Sequence, residues 1–145
     1  MIIFFLRVYI ILFLCISYSY AKDNNFTDYP LSFIVEACLI TKQRSFTENI
    51  EQEQFLENKK KYYTCMNFIM SLSTVLNRRC MSSKKKEISP ENAMTFADLS
   101  NVNSTSDLIN EIIEYSYKYP HFLNQIAWLH ASKAISQKWP CKKKF

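Results

Sequence analysis

Glycine is missing from all 145 residues of this chain. It is the residue that enters left-handed turns without steric cost and lets a backbone approach a phosphate closely. Its absence weighs against hairpin-rich β folds and excludes every glycine-rich phosphate loop. The G-x-S-x-G elbow that presents a nucleophilic serine is excluded with it. Histidine is scarce: only His121 and His130 occur, nine positions apart, and no local motif marks a nucleophile beside either. A Ser–His–Asp set assembles from distant positions, so the case against catalysis rests on the lack of any such marker. Paired acids such as Glu111 and Glu114 stand three apart on one helix, a common solvated pattern. The chain is therefore read as not an enzyme and as needing no cofactor.

Long apolar runs are confined to the first residues. Met1 to Leu6 is apolar, Arg7 is the only charge, and Val8 to Ile16 form a compact apolar core before Ser17-Tyr18-Ser19-Tyr20-Ala21 turns small and polar. Small side chains at Ser19 and Ala21 suit the −3 and −1 positions of a signal peptidase site, so cleavage is expected before Lys22. A retained anchor needs about 20 unbroken apolar residues, and Arg7 interrupts the run. The expected product spans residues 22–145, one domain with no transmembrane segment, released to the extracellular space.

Removing the leader takes Cys15 with it and leaves Cys38, Cys65, Cys80 and Cys141. An even number in a short secreted chain argues for two disulfides. Structural zinc wants close C-x-x-C pairs or closely spaced histidines; here the cysteines are separated by 26, 14 and 60 intervening residues, and no metal site is expected. Two N-glycosylation sequons, at Asn25 and Asn103, lie in polar stretches.

Prolines number four, Pro30, Pro90, Pro120 and Pro140, each at a natural boundary between helical stretches. The pattern predicts an all-α fold, a small bundle of four or five helices braced by two disulfides. The first helix covers Leu31–Lys42, with Leu31, Ile34 and Cys38 inward. The second is long, from about Ser45 to Met81. It opens with the capping box Ser45-Phe46-Thr47-Glu48 and buries Phe55, Tyr62, Cys65, Ile69, Leu72 and Leu76 at three- and four-residue spacing. A third starts at Ser89-Pro90-Glu91 and carries Met94, Phe96, Ala97 and Leu99. A fourth starts near Ser106-Asp107. The fifth follows Pro120, with Phe122, Ile126, Leu129, Ile135 and Trp139 inward.

Helix geometry prunes the cysteine pairings. Fifteen positions of unbroken helix hold Cys65 and Cys80 roughly 22 Å apart, beyond the ~7 Å a disulfide tolerates. Two pairings remain open: Cys38–Cys65 with Cys80–Cys141, which is preferred, and Cys38–Cys80 with Cys65–Cys141. In a tight hairpin Cys38 would face a residue near position 50, so either pairing demands a crossing angle or a helix break.

Basic residues exceed acidic ones by five, and by four once Arg7 is removed. The excess sits in Lys59-Lys60-Lys61, Arg78-Arg79, Lys84-Lys85-Lys86 and Lys142-Lys143-Lys144. Such runs are usually solvated surface, and Glu48, Glu51, Glu53 and Glu57 offset the first. The Lys84, Lys85, Lys86 run offers at most weak attraction to anionic surfaces, and no specific nucleic-acid partner is indicated. The expected function is binding of another extracellular protein or receptor at the surface. The alternative is a carrier whose bundle encloses a small apolar ligand among its eleven Phe, nine Tyr and two Trp.

Overall fold

The structure, a computed structural model, describes residues 28–43, 51–83 and 96–141. The expected leader, Asn25 and the Lys84-Lys85-Lys86 run lie outside the described residues. Within them are four α-helices, α1 (Leu31–Gln43), α2 (Gln52–Ser83), α3 (Thr105–Lys118) and α4 (Ala127–Lys138), with a short 3-10 turn at Pro120–Phe122. No strand is present among the described residues; extended backbone pairs only at two isolated bridges.

Helix α1 sits in the middle and touches each of the other three. Its sequence explains that position. Leu31, Ile34, Val35, Ala37 and Cys38 are all buried, a span wider than one stripe, and a helix apolar on more than one side is stable only when packed on more than one side. Its N-terminal amides are satisfied by backbone rather than by a side-chain cap. Leu31 N–H donates to the Gln125 carbonyl at 2.8 Å and Ser32 N–H to the Leu123 carbonyl at 2.8 Å. In return the first amide of α4, on Ala127, donates to the Tyr29 carbonyl at 2.8 Å. The two helix starts thus supply each other's missing partners, and α4 needs no hydroxyl cap of its own.

Helix α2 runs 32 residues without a break, about 48 Å at 1.5 Å per residue. Cys65, Phe68, Ile69, Leu72, Leu76 and Cys80 form its buried face, as the three- and four-residue spacing predicts. Its start is later than expected. Glu51 is not helical and the helix opens at Gln52; the box beginning at Ser45 lies outside the described residues, and Phe55, expected inward, is 39% exposed.

The disulfides are Cys38–Cys65, with Cα atoms 5.0 Å apart, and Cys80–Cys141, at 5.6 Å. This is the preferred pairing, and its register follows from the late start of α2. Eight residues, 44–51, separate the two helices, enough chain to carry Cys65 back alongside Cys38 without breaking α2. An ion pair reinforces the same seam: Lys61 Nζ lies 2.7 Å from Glu36 of α1 and 2.9 Å from Glu57. Those hydrogen bonds, Glu36 first, raise the Lys61 pKa above the ordinary lysine value.

The expected third helix is not found where it can be checked. Its start, Ser89 to Met94, lies outside the described residues, but Phe96, Ala97 and Leu99 are non-helical. Ala97 forms an antiparallel bridge with Pro140 and is fully buried. Ala97 N–H donates to the Leu76 carbonyl at 3.4 Å, Asp98 N–H to the Trp139 carbonyl at 3.0 Å, and Leu99 N–H to Asn77 Oδ1 at 3.3 Å. These donors cannot serve a helix because they tie a strap between α2 and the 139–141 tail. The Cys80–Cys141 bridge closes the same layer.

Helix α3 begins at Thr105, within one residue of the expected start. Ser104 is the N-cap, its Oγ accepting from Asp107 N–H at 3.3 Å while Asp107 Oδ2 accepts from Ser104 N–H at 3.1 Å. This reciprocal box satisfies two otherwise orphaned amides. Replacing Ser104 with alanine should cost about 1 kcal/mol, read as a lower denaturation midpoint. The same change leaves the sequon intact, because Ser104 is the middle residue of Asn103-Ser104-Thr105; Asn103→Gln, which removes the sequon and spares the cap, is the control and should leave the midpoint of glycan-free protein within about 0.5 kcal/mol of the parent.

Candidate functional site: the outer face of the long helix and the groove beside it

At about 100° per residue, Leu56, Tyr63, Met70 and Met81 of α2 fall close to one line, opposite the buried face. The structure leaves them 57%, 52%, 58% and 48% exposed. The first two turns of α2 carry no buried side chain before Asn58. Toward its C-terminal half the line runs beside a groove of about 680 Å³. Ser73, Thr74, Asn77 and Arg78 of α2 form one wall; Leu99, Val102, Asn103, Ser104, Thr105 and Leu108 form the other. The strap bonded to Leu76 and Asn77 holds the second wall against α2, and the Ser104 box fixes the start of α3 at the rim. Asn103, the sequon residue, lies exposed at that edge.

Sequence reasoning missed this groove. It depends on residues 96–104 being non-helical, with a turn at Ser100-Asn101, whereas the apolar spacing of Phe96, Ala97 and Leu99 suggested helix. The one legible signal was Ser104-Thr105-Ser106-Asp107, a capping box with aspartate in the place usually held by glutamate.

The other candidate residues fall elsewhere. His130 is buried in α4, its Nε2 2.8 Å from Gln125 Oε1 and its ring stacked on Phe122 at 4.1 Å. Tyr115 lies beyond at 6.4 Å. Its Nδ1 is buried with no hydrogen-bond partner. The imidazole thus meets an amide and aromatic faces. His121 stays exposed against the other neighbours of Phe122, at 4.0 Å from that ring. Burial pushes the His130 pKa below its ordinary value of 6.5, and Lys133 and His121 push the same way. Burial also raises the Tyr115 hydroxyl, with Tyr119 adding to it. Tyr117, between them in sequence, points out and is 69% exposed.

A pH effect follows with a defined sign. Folding favours the neutral His130 imidazole, so the unfolded chain binds the proton first. Stability is full above the unfolded value near 6.5 and declines as pH falls below it. The thermal midpoint should drop over that window, and a His130→Leu variant should show a flatter profile there. An unchanged slope would mean that the imidazole is not held neutral by its burial.

Ile126 and Leu129, expected inward, are 52% and 56% exposed. Helix α4 starts at Ala127 after the 3-10 turn, which leaves Ile126 outside it. Leu129 stands about 240° around the helix from Ile135 at 100° per residue, away from the buried face of Ala127, His130, Ala131, Ala134 and Ile135. Glu111 takes Lys138 at 3.5 Å across α3 and α4, while Glu114 is exposed. No cluster of three His, Cys, Asp or Glu able to hold a metal occurs among the described residues. None of the described helices is long and apolar enough to cross a membrane. Comparison of the chain with protein-family models, with curated proteins and with solved structures finds no match in any of the three.

Proposed function

We propose that this chain is a secreted, non-enzymatic protein that acts by binding another protein or receptor, and that the outer face of α2 with its groove is the binding surface. One observation carries the reading. Leu56, Tyr63, Met70 and Met81 stand exposed in line along a rigid helix, where a soluble domain would ordinarily place polar side chains. Aromatic, methionine and arginine side chains are the types enriched at protein interfaces, and Tyr63, Met70 and Arg78 are all exposed along this helix. Two disulfides suit an oxidising compartment, in keeping with the leader at residues 1–21, and glycans at Asn25 and Asn103 would follow from the same route. The alternative, a carrier of a small apolar ligand, calls for an enclosed apolar cavity. The groove has Ser73, Thr74, Asn77 and Arg78 in one wall, which is why surface binding is preferred.

The test is site-specific photo-cross-linking. A photoreactive phenylalanine analogue at Tyr63 or Met70, in mature protein placed in its native extracellular fluid, should yield a protein adduct of defined mass. Wild-type protein should compete it away, and a Met70→Glu variant should not. The same analogue at Gln137, exposed on α4, is the control. Equal labelling at all three positions, or no adduct at Tyr63 and Met70, overturns the reading.

A further inference from the structure

We propose that the occupant of this surface is a second copy of the same chain, packed antiparallel along α2 about a two-fold axis between Tyr63 and Met70. The inference rests on reading the outer face of α2 as a protein-docking surface and names its partner.

The argument starts from how charge is distributed along the helix. Glu53 lies at its beginning and Arg78 near its end, 25 residues apart, about 37 Å along the axis. Both fall on the same flank of the exposed line, roughly 60–80° from Tyr63 at 100° per residue. In an antiparallel helix pair, positions on the same flank face each other. Centring the pair between Tyr63 and Met70 brings Glu53 of each copy within one helical turn of Arg78 of the other. The symmetry makes this contact twice. Lys59 and Lys60 come level with Thr74 and Ser73, so no like charges oppose one another across the contact. Tyr63 meets Met70, a sulfur–aromatic contact of a favourable kind.

Shape agrees with charge. The same register sets Leu56 of each copy level with Asn77 of the other, which lies in the wall of the groove. Leu56 is 57% exposed on turns of α2 that project beyond the buried part of the bundle. The groove offers it Leu99, Val102 and Leu108. Each chain therefore carries both a knob and its receptor, at opposite ends of one straight helix. A two-fold pair joins them in both directions, as an isologous interface requires. The seven-residue spacing of Leu56, Tyr63 and Met70 is the repeat that keeps a seam facing a partner helix.

Sedimentation of the secreted, disulfide-intact protein, after enzymatic removal of any Asn-linked glycan, tests this. Wild type should pass from monomer to dimer with rising concentration, more weakly as salt increases. Glu53→Arg and Arg78→Glu should each weaken the dimer on the order of tenfold, and the double exchange should restore it, because each swapped residue then meets its opposite across the axis. Tyr63→Glu should abolish it while circular dichroism stays unchanged. A monomer at every concentration, or a dimer indifferent to the charge exchange, overturns the proposal. The underlying reading fails separately: adducts at Tyr63 with a protein of different sequence, from a chain that stays monomeric, would retain the docking surface and remove the second copy.

Discussion

Removing the Cys80–Cys141 bridge by a double change to alanine should lower stability by about 4 kcal/mol, from the chain entropy of a loop this long, given its 61-residue sequence separation. The Cys38–Cys65 bridge closes only 27 residues, which the same relation puts at about 3.5 kcal/mol. The two entropic losses are close, so what distinguishes them is which structure each releases. Cys141 anchors a tail whose backbone holds the strap: Trp139 accepts from Asp98, and Pro140 bridges Ala97. Without the bridge, the tail and strap should open together, ahead of the α1–α2 pair. Amide exchange at Asp98 should then accelerate well beyond that at Ile69 or Leu72. Guanidinium denaturation gives the global figure and hydrogen exchange the local one. A midpoint lowered by less than about 1 kcal/mol, against the several expected, would mean that backbone pairing alone holds the tail. Uniform acceleration across α1, α2 and the strap would show that they open as one unit.

That the pairing was partly legible beforehand follows from one rigid fact, the length of unbroken helix between Cys65 and Cys80. Rise per residue is fixed, so it excludes a contact without any knowledge of packing. The choice between the two remaining pairings was not legible in the same way. It turned on where α2 begins, and that depends on whether residues 45–51 continue the helix. Local propensity argued that they do: Ser45 and Glu48 make a good capping box. The structure places the start at Gln52, and the longer connection brings Cys38 and Cys65 into register.

Residues 96–99 failed for the opposite reason. Their apolar spacing resembles a helix face, but their amides are claimed by Leu76, Trp139 and Asn77, partners 20 or more residues away in sequence. Periodicity cannot see such partners. The groove inherits this: one wall is a stretch of α2 readable from spacing, and the other exists only because the strap is extended. Ile126 and Leu129 fail for another reason: Ile126 precedes α4, and Leu129 stands about 240° around the helix from the inward Ile135, so the two cannot share its buried face. Exposure at Tyr63 and Met70, by contrast, was implicit in the seven-residue steps that keep them opposite Cys65, Ile69 and Leu72.

Phe68→Ala should be the most damaging single change in the described core, costing about 3–5 kcal/mol. Phe68 is fully buried on α2 and meets Trp128 of α4 edge-on, with ring centroids 6.1 Å apart and planes at 84°. That geometry sets a ring edge against a ring face, an arrangement that adds to the burial energy. Contacts between α2 and α4 are sparse beside those between α1 and α2, so this aromatic pair carries a large share of what joins the ends of the bundle across α1. Truncation would remove the ring and leave a void that α2 cannot close, because Cys38–Cys65 pins its backbone one turn away. Phe68→Leu keeps most of the volume and should recover more than half of the loss. Trp128 is half-buried, and its fluorescence should shift to longer wavelength in the alanine variant as water reaches the vacated face, but not in the leucine variant. If both variants unfold at the parent midpoint, α4 is held by its exchange of backbone hydrogen bonds with α1, Ala127 to Tyr29 and Leu31 to Gln125, and the aromatic contact is incidental to it.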